Sequence, residues 1–196
     1  TSKEGKQFAH QYEGAVFRVD PDGSNLEVFA YGLRNPQELA FDNYGNLFTV
    51  DNDSDLGDRE RFVYIVENTD SGWRATYQYR MRKVPGLSDG GYNPWMAEDL
   101  WKPKFETQAA YLTPPLANYA DGPCGFKFNP GTALSDEYKD HFFLTQFPKK
   151  VLTTFKASPD GAGFKMVDEH LAFSGLMLTG LAFGPDGSLY GADWGE

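Results

Sequence analysis

The chain has 196 residues, which is enough for one domain with a sizeable core. Its 28 acidic residues against 18 basic ones give a formal net charge of −10, which excludes a surface built to bind nucleic acid. No apolar run approaches the roughly 18 residues of a membrane-spanning segment, and the single cysteine, Cys124, excludes an internal disulfide. Many aromatic residues together with 21 glycines and 12 prolines favour short strands and tight turns, so we expect an all-β fold.

The first predicted element is a hairpin that spans residues 14–29. Pro21 fixes the backbone at the second turn position, and Asp22-Gly23 supplies the reversal. Further strands are predicted at about 38–42, 46–51, 62–66, 73–82, 125–128, 142–147, 151–155 and 163–167, followed by a last hairpin at 180–192. Residues 83–120 carry five prolines among aromatic residues, and this composition predicts an ordered excursion over one face of the fold.

One predicted hairpin occurs twice in the chain. Leu39–Asp51 matches Leu181–Asp193 position by position without a gap, from a small apolar strand through a glycine turn to a second strand that ends in aspartate. A looser third copy has its strands at 125–128 and 141–147, with an expanded turn between them. Repetition of one hairpin with unequal loops is typical of radially repeated β-architectures.

Four-stranded units with long loops predict a β-propeller. We expect one partial propeller domain over residues 1–196 with about three blade-equivalents. Its parts are a half-blade at about 14–30, a blade at about 37–82, the excursion at about 83–120, a blade at about 124–168 and a half-blade at about 179–193. Such an arc leaves unpaired strand edges at both ends. A second copy in a homodimer could close a six-bladed ring, or the remainder of a longer parent chain could do so.

Acidic residues are dense at the end of the first repeated hairpin. Five of the ten residues from Asp51 to Glu60 are acidic, and Asn52 and Ser54 add further oxygen atoms. Two interpretations stay open, a solvated acidic turn or a loop that binds a cation such as calcium, although the EF-hand spacing is absent. The candidate metal ligands are Asp51, Asn52, Asp53, Ser54, Asp58 and Glu60. The histidines His10, His141 and His170 lie far apart in sequence, and we do not expect them to build a zinc site or a triad.

Three motifs carry a family resemblance: Gly32-Leu33-Arg34-Asn35-Pro36-Gln37, Asp51-Asn52-Asp53 and Asp70-Ser71-Gly72-Trp73. With the glycine-turn hairpins, they make the chain resemble the glucose/sorbosone dehydrogenase family of soluble quinoproteins. Members are six-bladed β-propellers that bind pyrroloquinoline quinone and calcium. The chain is most similar to the branch of large bacterial propeller proteins that often carry a c-type haem domain. This resemblance covers nearly the whole chain and implies a periplasmic or secreted protein.

The resemblance also implies roles for individual residues. Arg34, Asn35 and Gln37 match the element that faces the quinone, whose carboxylates suit a guanidinium and amide donors. Asp53 and Ser54 match the loop whose backbone carbonyls hold the calcium ion. The family's catalytic histidine would precede the Arg34 element by more than His10 does, so the catalytic residues stay unassigned. The family's later arginine pair is replaced by the uncharged segment 176–179.

Two functional hypotheses of different classes follow. In the first, the chain is part of a quinone-dependent sugar or alcohol dehydrogenase, inactive as an isolated chain because the base and the later arginine pair are missing. In the second, it is a non-catalytic, calcium-binding propeller segment that serves binding or assembly. The sequence does not separate the two, and it identifies neither the substrate nor the electron acceptor.

Overall fold

The computed structural model describes residues 1–9, 13–52, 59–74, 103–108, 112–119 and 122–195. These residues form two compact units. The described residues of the first unit lie within 1–36 and 65–114, and those of the second lie within 37–52, 59–64 and 115–195. Within the described ranges, no helix combines the length and the apolar composition that a membrane crossing requires.

Strands dominate both units, as the composition predicted. In chain order they are β1 (Gly14–Arg18), β2 (Glu27–Leu33), β3 (Pro36–Phe41), β4 (Leu47–Asp51), β5 (Glu60–Ile65), β6 (Thr69–Asp70), β7 (Ala117–Tyr119), β8 (Pro123–Phe128), β9 (Phe142–Gln146), β10 (Val151–Asp160), β11 (Gly163–Ser174), β12 (Leu178–Phe183) and β13 (Leu189–Asp193). One short 3-10 helix, Asp136–Tyr138, lies in the connection between β8 and β9.

The first unit contains a three-stranded sheet of order β1-β2-β6. Its antiparallel β1–β2 hairpin pairs Gly14 with Leu33 and Arg18 with Glu27, which confirms the hairpin predicted for residues 14–29. Strand β6 lies parallel to β2 on the other side. Because β6 arrives from a segment more than thirty residues downstream, local sequence patterns did not predict this pairing.

The second unit contains three sheets, of orders β3-β4-β5-β7, β11-β10-β9-β8 and β12-β13. The fourth strand of the first of these sheets is Ala117–Tyr119, which pairs antiparallel with β5. The sequence placed that fourth strand at residues 73–82. Trp73 and Arg74 lie outside strands, and residues 75–82 are outside the described residues.

Stacked phenylalanines form the core of the second unit. Phe48, Phe62, Phe126, Phe142 and Phe155 are at most 1% exposed, and they join the β3-β4-β5-β7 sheet to the four-stranded sheet of β8 to β11. The ring centroids of Phe62 and Phe155 are 4.9 Å apart, and those of Phe126 and Phe142 are 5.2 Å apart. Centroid separations of this size are favourable for aromatic pairs.

The four-stranded sheet of β8 to β11 is covered on both faces. Phe142 packs into the core just described, whereas its neighbour Phe143 packs against Leu178 and Leu181 of β12. Consecutive residues of a strand point to opposite faces, so the whole of β9 is buried. Sheets stacked face to face in chain order are the arrangement expected of successive propeller blades. The number of blades in a closed ring stays a prediction.

The glycine turns share one hydrogen-bonding pattern. In each, the first residue donates its N–H to the carbonyl of the fifth and accepts from the N–H of the glycine at the fourth position. The turns begin at Asp20, Asp42 and Gly184, and their glycines are Gly23, Gly45 and Gly187, with φ of +83°, +83° and +82°. Only glycine adopts this left-handed backbone without strain. The predicted repeat of Leu39–Asp51 and Leu181–Asp193 is thereby confirmed as two hairpins of the same turn geometry.

Candidate functional site

Two of the motifs singled out in the sequence pack directly against each other in the first unit. The N–H of Ser71 donates to the carbonyl of Tyr31 at 2.9 Å, and the N–H of Trp73 donates to the carbonyl of Gly32 at 2.8 Å. Gly32 has a φ of +77°, and a Cβ there would overlap the carboxylate of Asp70 and lie 2.5 Å from the backbone nitrogen of Gly72. The Asp70–Trp73 motif therefore holds the end of β2, which leads into Arg34 and Asn35.

Arg74 anchors this contact. Its guanidinium contacts the carboxylate of Asp70 at 2.6 Å and that of Glu13 at 2.7 Å, and it lies over the ring of Tyr31 at 5.8 Å from the centroid. Burial acts to lower the pKa of Arg74, but the bonds to Asp70 and the neighbouring carboxylates outweigh burial and raise the pKa above its usual value. The guanidinium of Arg74 therefore holds the Asp70–Trp73 motif in place.

The predicted quinone-facing residues lie at the junction of two strands. Arg34 is half-buried and follows the last residue of β2, Asn35 is exposed, and Gln37 is the exposed second residue of β3. Arg34 and Asn35 belong to the first unit, and Gln37 to the second. The neighbouring Glu38 accepts a hydrogen bond from the N–H of Phe126, and its Oε1 forms an ion pair with Nζ of Lys127 at 3.0 Å.

Two predicted metal ligands are buried carboxylates of the second unit. Asp51 is the last residue of β4 and 1% exposed, and Glu60 is the first residue of β5 and 6% exposed. The Nη2 of Arg61 donates to Oδ2 of Asp51 at 2.6 Å, and the N–H of Gly122 donates to Oε1 of Glu60 at 3.0 Å. Both acids lie where the loop between β4 and β5 starts and ends, so they flank that loop.

The pKa of Tyr119 is shifted by its burial and by the charges of Asp51, Glu60 and Arg61. Burial, followed by the nearby carboxylates of Asp51 and Glu60, holds its pKa well above the usual value, while Arg61 acts in the opposite direction. The phenol therefore stays protonated and donates toward the carbonyl of Arg61 at 3.5 Å. Asp51 and Glu60 are thus two buried carboxylates close enough to Tyr119 to act on its pKa, and carboxylate oxygens are ligands that calcium prefers.

The remaining predicted ligands divide into two groups. Asn52 is half-buried and directly follows Asp51. Asp53, Ser54 and Asp58 lie outside the described residues, so their assignment stays a prediction. Carboxylate and amide oxygens in one loop match the preference of calcium for hard oxygen ligands. The chemistry of the described donors therefore fits a calcium ion.

Sequence reasoning missed the partners of these acids. Arg61 and Tyr119 hold the cluster together, yet Tyr119 is separated from Glu60 by almost sixty residues and reaches it only because β7 pairs with β5. The signal that could have identified Arg61 is its place in the apolar strand Glu60–Ile65, where a charged residue needs a partner.

Comparison with known proteins identifies the family. The family model described as "Domain of unknown function (DUF7133)" matches residues 1–196. The chain belongs to this family. Among proteins of curated function, none matches this member of the family.

Several solved structures similar to this chain are titled as sugar dehydrogenases. A putative oxidoreductase (glucose dehydrogenase) from Thermus thermophilus is 20% identical, with a TM-score of 0.57, and the match covers 84% of this chain and 41% of that one. A structure titled glucose dehydrogenase is 22% identical, with a TM-score of 0.59, and the match covers 88% and 45%. The PQQ-bound aldose sugar dehydrogenase from Streptomyces coelicolor is 17% identical, with a TM-score of 0.53, and the match covers 86% and 42%.

These likenesses establish the fold. They confirm an all-β fold of the propeller type found in the quinoprotein sugar dehydrogenases. The chain spans less than half the length of these structures, consistent with a partial propeller.

Proposed function

We propose that this chain forms part of a quinoprotein dehydrogenase that oxidises a sugar or an alcohol with pyrroloquinoline quinone and calcium. The observation that carries the proposal is the pair of buried carboxylates, Asp51 and Glu60, that flank the segment between β4 and β5, with the guanidinium of Arg61 on Asp51. The likeness to a PQQ-bound sugar dehydrogenase supports the same function. From the family resemblance we also propose that the protein functions in the periplasm or outside the cell.

Calcium would be held at the β4–β5 loop. Asp51, Asn52 and Glu60 supply oxygen atoms of the kind calcium prefers, and Asp53, Ser54 and Asp58 are proposed to complete the set. When bound in such an enzyme, calcium supplies polarisation of a quinone carbonyl. Arg61 would orient Asp51 by its hydrogen bond to Oδ2.

The residues fit the quinone only in part. Arg34, Asn35 and Gln37 offer a guanidinium and two amides, which suit the carboxylates of the quinone. The segment Leu176–Thr179, whose last two residues begin β12, carries no positive charge, so a second quinone carboxylate would meet no cation there. We therefore propose that the isolated chain has no substantial turnover. The alternative is a non-catalytic, calcium-binding propeller segment that serves binding or assembly.

Calcium and quinone binding test the proposal. We expect calcium to raise the melting temperature of the chelator-treated chain, because a ligand that binds only the folded state stabilises it. We expect pyrroloquinoline quinone to bind in a calcium-dependent manner, measured by equilibrium dialysis. Arg34→Gln should weaken quinone binding at least tenfold. Arg18→Gln is the matched control, since Arg18 is exposed in the same unit and pairs with Glu27 and Glu67.

The outcomes separate the two functions. A calcium-dependent rise in melting temperature without quinone binding would favour the non-catalytic segment. No response to either ligand would contradict both. Rapid dye reduction by the isolated chain with glucose would show that the chain contains the base that we have not assigned.

Assembly gives a separate prediction. Within the described residues, β1 and β13 are terminal strands of their sheets, and an unpaired strand edge tends to recruit another strand. We propose that a second copy closes both edges in a homodimer, with the remainder of a longer parent chain as the alternative. Light scattering of the purified chain should give twice the mass of one chain. A monomer that stays soluble at high concentration would exclude the homodimer.

A further inference from the structure

Two histidines and one aspartate converge at a place that the proposed dehydrogenase site does not use. His141, Asp168 and His170 each offer one ligand atom, and the three atoms lie within 4.8 Å of one another. His141 is fully buried, and its Nε2 makes no well-aligned hydrogen bond among the described residues, although Oδ2 of Asp168 lies 3.2 Å away. All three residues belong to the second unit. An unpaired buried nitrogen is costly unless some partner satisfies it.

The fold brings these residues together through an irregularity in β11. The pairing of β10 with β11 changes register between Thr154↔His170 and Lys156↔Val167, so β11 contains a bulge. Asp168 lies in that bulge with a left-handed φ of +56°. Bulges redirect side chains and are found next to functional sites. His141 comes from the other side, where the turn after the 3-10 helix leads into β9.

The imidazole of His141 faces two acceptors. Its Nδ1 lies 3.2 Å from the carbonyl oxygen of Lys139, and its Nε2 lies 3.2 Å from Oδ2 of Asp168. A neutral imidazole has only one N–H, so it cannot donate to both. When Nδ1 donates to Lys139, the lone pair of Nε2 faces a carboxylate, and that contact is repulsive. A cation between Nε2 and the carboxylate removes the repulsion.

The imidazole of His170 also lies close to a backbone carbonyl oxygen. Its Nδ1 lies 3.0 Å from the carbonyl oxygen of Asp168 and 3.8 Å from Oδ1 of the same residue. Metal-binding histidines usually donate the second N–H to a backbone carbonyl or a carboxylate, which fixes the tautomer. Tyr138 packs against both imidazoles, at 6.0 Å from His141 and 6.1 Å from His170 between ring centroids. Both imidazoles are thus held in place by Tyr138 and by a backbone carbonyl.

We propose that His141, Asp168 and His170 bind a divalent transition-metal ion of the zinc class. Two imidazoles and one carboxylate suit zinc, cobalt or nickel, whereas calcium prefers oxygen ligands. Three protein ligands leave a fourth tetrahedral position for water. The ion would tie the bulge of edge strand β11 to the turn that precedes β9.

The ligands need only a small adjustment to reach metal distances. Tetrahedral zinc with bonds of about 2.0–2.1 Å places its ligand atoms about 3.3 Å apart. The side chains of Asp168 and His170 are 55% and 43% exposed, so they can turn toward the fixed imidazole of His141. Lys156 competes for the same carboxylate, since its Nζ lies 3.7 Å from Oδ2 of Asp168. Metal binding displaces this ammonium.

Cobalt titration of the untagged, chelator-treated chain tests the proposal. We expect the absorption bands of tetrahedral Co²⁺ to appear and zinc to displace the cobalt. Asp168→Asn and His170→Ala should each weaken cobalt binding at least tenfold. Both positions are exposed, so these variants should fold. Glu169→Gln is the matched control, because it removes the same charge at an exposed neighbouring position and should leave the affinity unchanged.

A variant of Lys156 and the effect of zinc on the melting temperature test the metal site further. Lys156→Met should strengthen cobalt binding several-fold, because it removes the competing ammonium. Zinc should raise the melting temperature of the wild-type chain and not that of His170→Ala, whereas calcium should act equally on both. A wild-type affinity for cobalt weaker than millimolar would overturn the proposal. Equal cobalt affinities in the wild type, Asp168→Asn and His170→Ala would also overturn it, and the contact between His141 and Asp168 would then be one bridged by a proton.

Discussion

Arg61→Ala is expected to lower the free energy of unfolding by about 3–5 kcal/mol, the range for removing one partner of a buried ion pair. The variant leaves the carboxylate of Asp51 1% exposed and without the guanidinium that contacts it at 2.6 Å. Burying this uncompensated charge destabilises the folded state, because water no longer solvates it. Urea denaturation at neutral pH measures the change.

A double variant distinguishes charge from packing. Asp51→Asn combined with Arg61→Met removes both charges at similar volume, and we expect it to recover most of the lost stability. Arg18→Ala is the surface control, because Arg18 pairs with Glu27 in an exposed position and should change stability little. If the double variant were as unstable as Arg61→Ala, the uncompensated charge of Asp51 would not be the main cause of the loss.

Gly32→Ala is expected to lower the free energy of unfolding by about 3 kcal/mol or more. The left-handed backbone of this residue, with a φ of +77°, costs an alanine about 1–2 kcal/mol. The new Cβ would also overlap the carboxylate of Asp70 and press on the backbone of Ser71, so the Asp70–Trp73 motif must move at further cost. Thermal and urea denaturation measure the loss, and quinone binding should fall with it because Arg34 follows this segment.

Gly23→Ala is the matched control for this substitution. Gly23 has a φ of +83° in the same unit, but a Cβ there meets nothing within 4 Å. We therefore expect only the conformational cost of about 1–2 kcal/mol. Equal losses in the two variants would show that the close packing of Gly32 against Asp70 contributes nothing to stability.

Local features of the fold were predictable from the sequence. The turns at Asp22-Gly23 and at Gly187 follow from glycine at positions that need a left-handed backbone, and their strands follow from alternation of apolar residues. Pairings between distant segments were not predictable. Strand β7 reaches β5 from beyond a long proline-rich stretch, and no local pattern in the sequence specifies such a partner.

The candidate sites show the same division. Asp51 and Glu60 were recognisable as possible metal ligands, but their burial and the guanidinium of Arg61 became evident only in the structure. The pairing of His141 with His170 was not expected, since almost thirty residues separate them. It depends on a one-residue register change in β11, and a single extra residue in a strand leaves no reliable pattern in the sequence.

The glycine turns have a consequence for how such a chain can grow. Each is closed by backbone bonds within five residues, and an aspartate inside it adds bonds to the same turn, as Asp42 does to Asn46 and Asp186 to Ser188. The hairpin register is therefore specified inside the hairpin and does not depend on the neighbouring sheets. A duplicated gene segment encoding one hairpin would yield a correctly formed unit wherever it is inserted. This autonomy explains how Leu39–Asp51 and Leu181–Asp193 retain one geometry while the loops between them diverge in length.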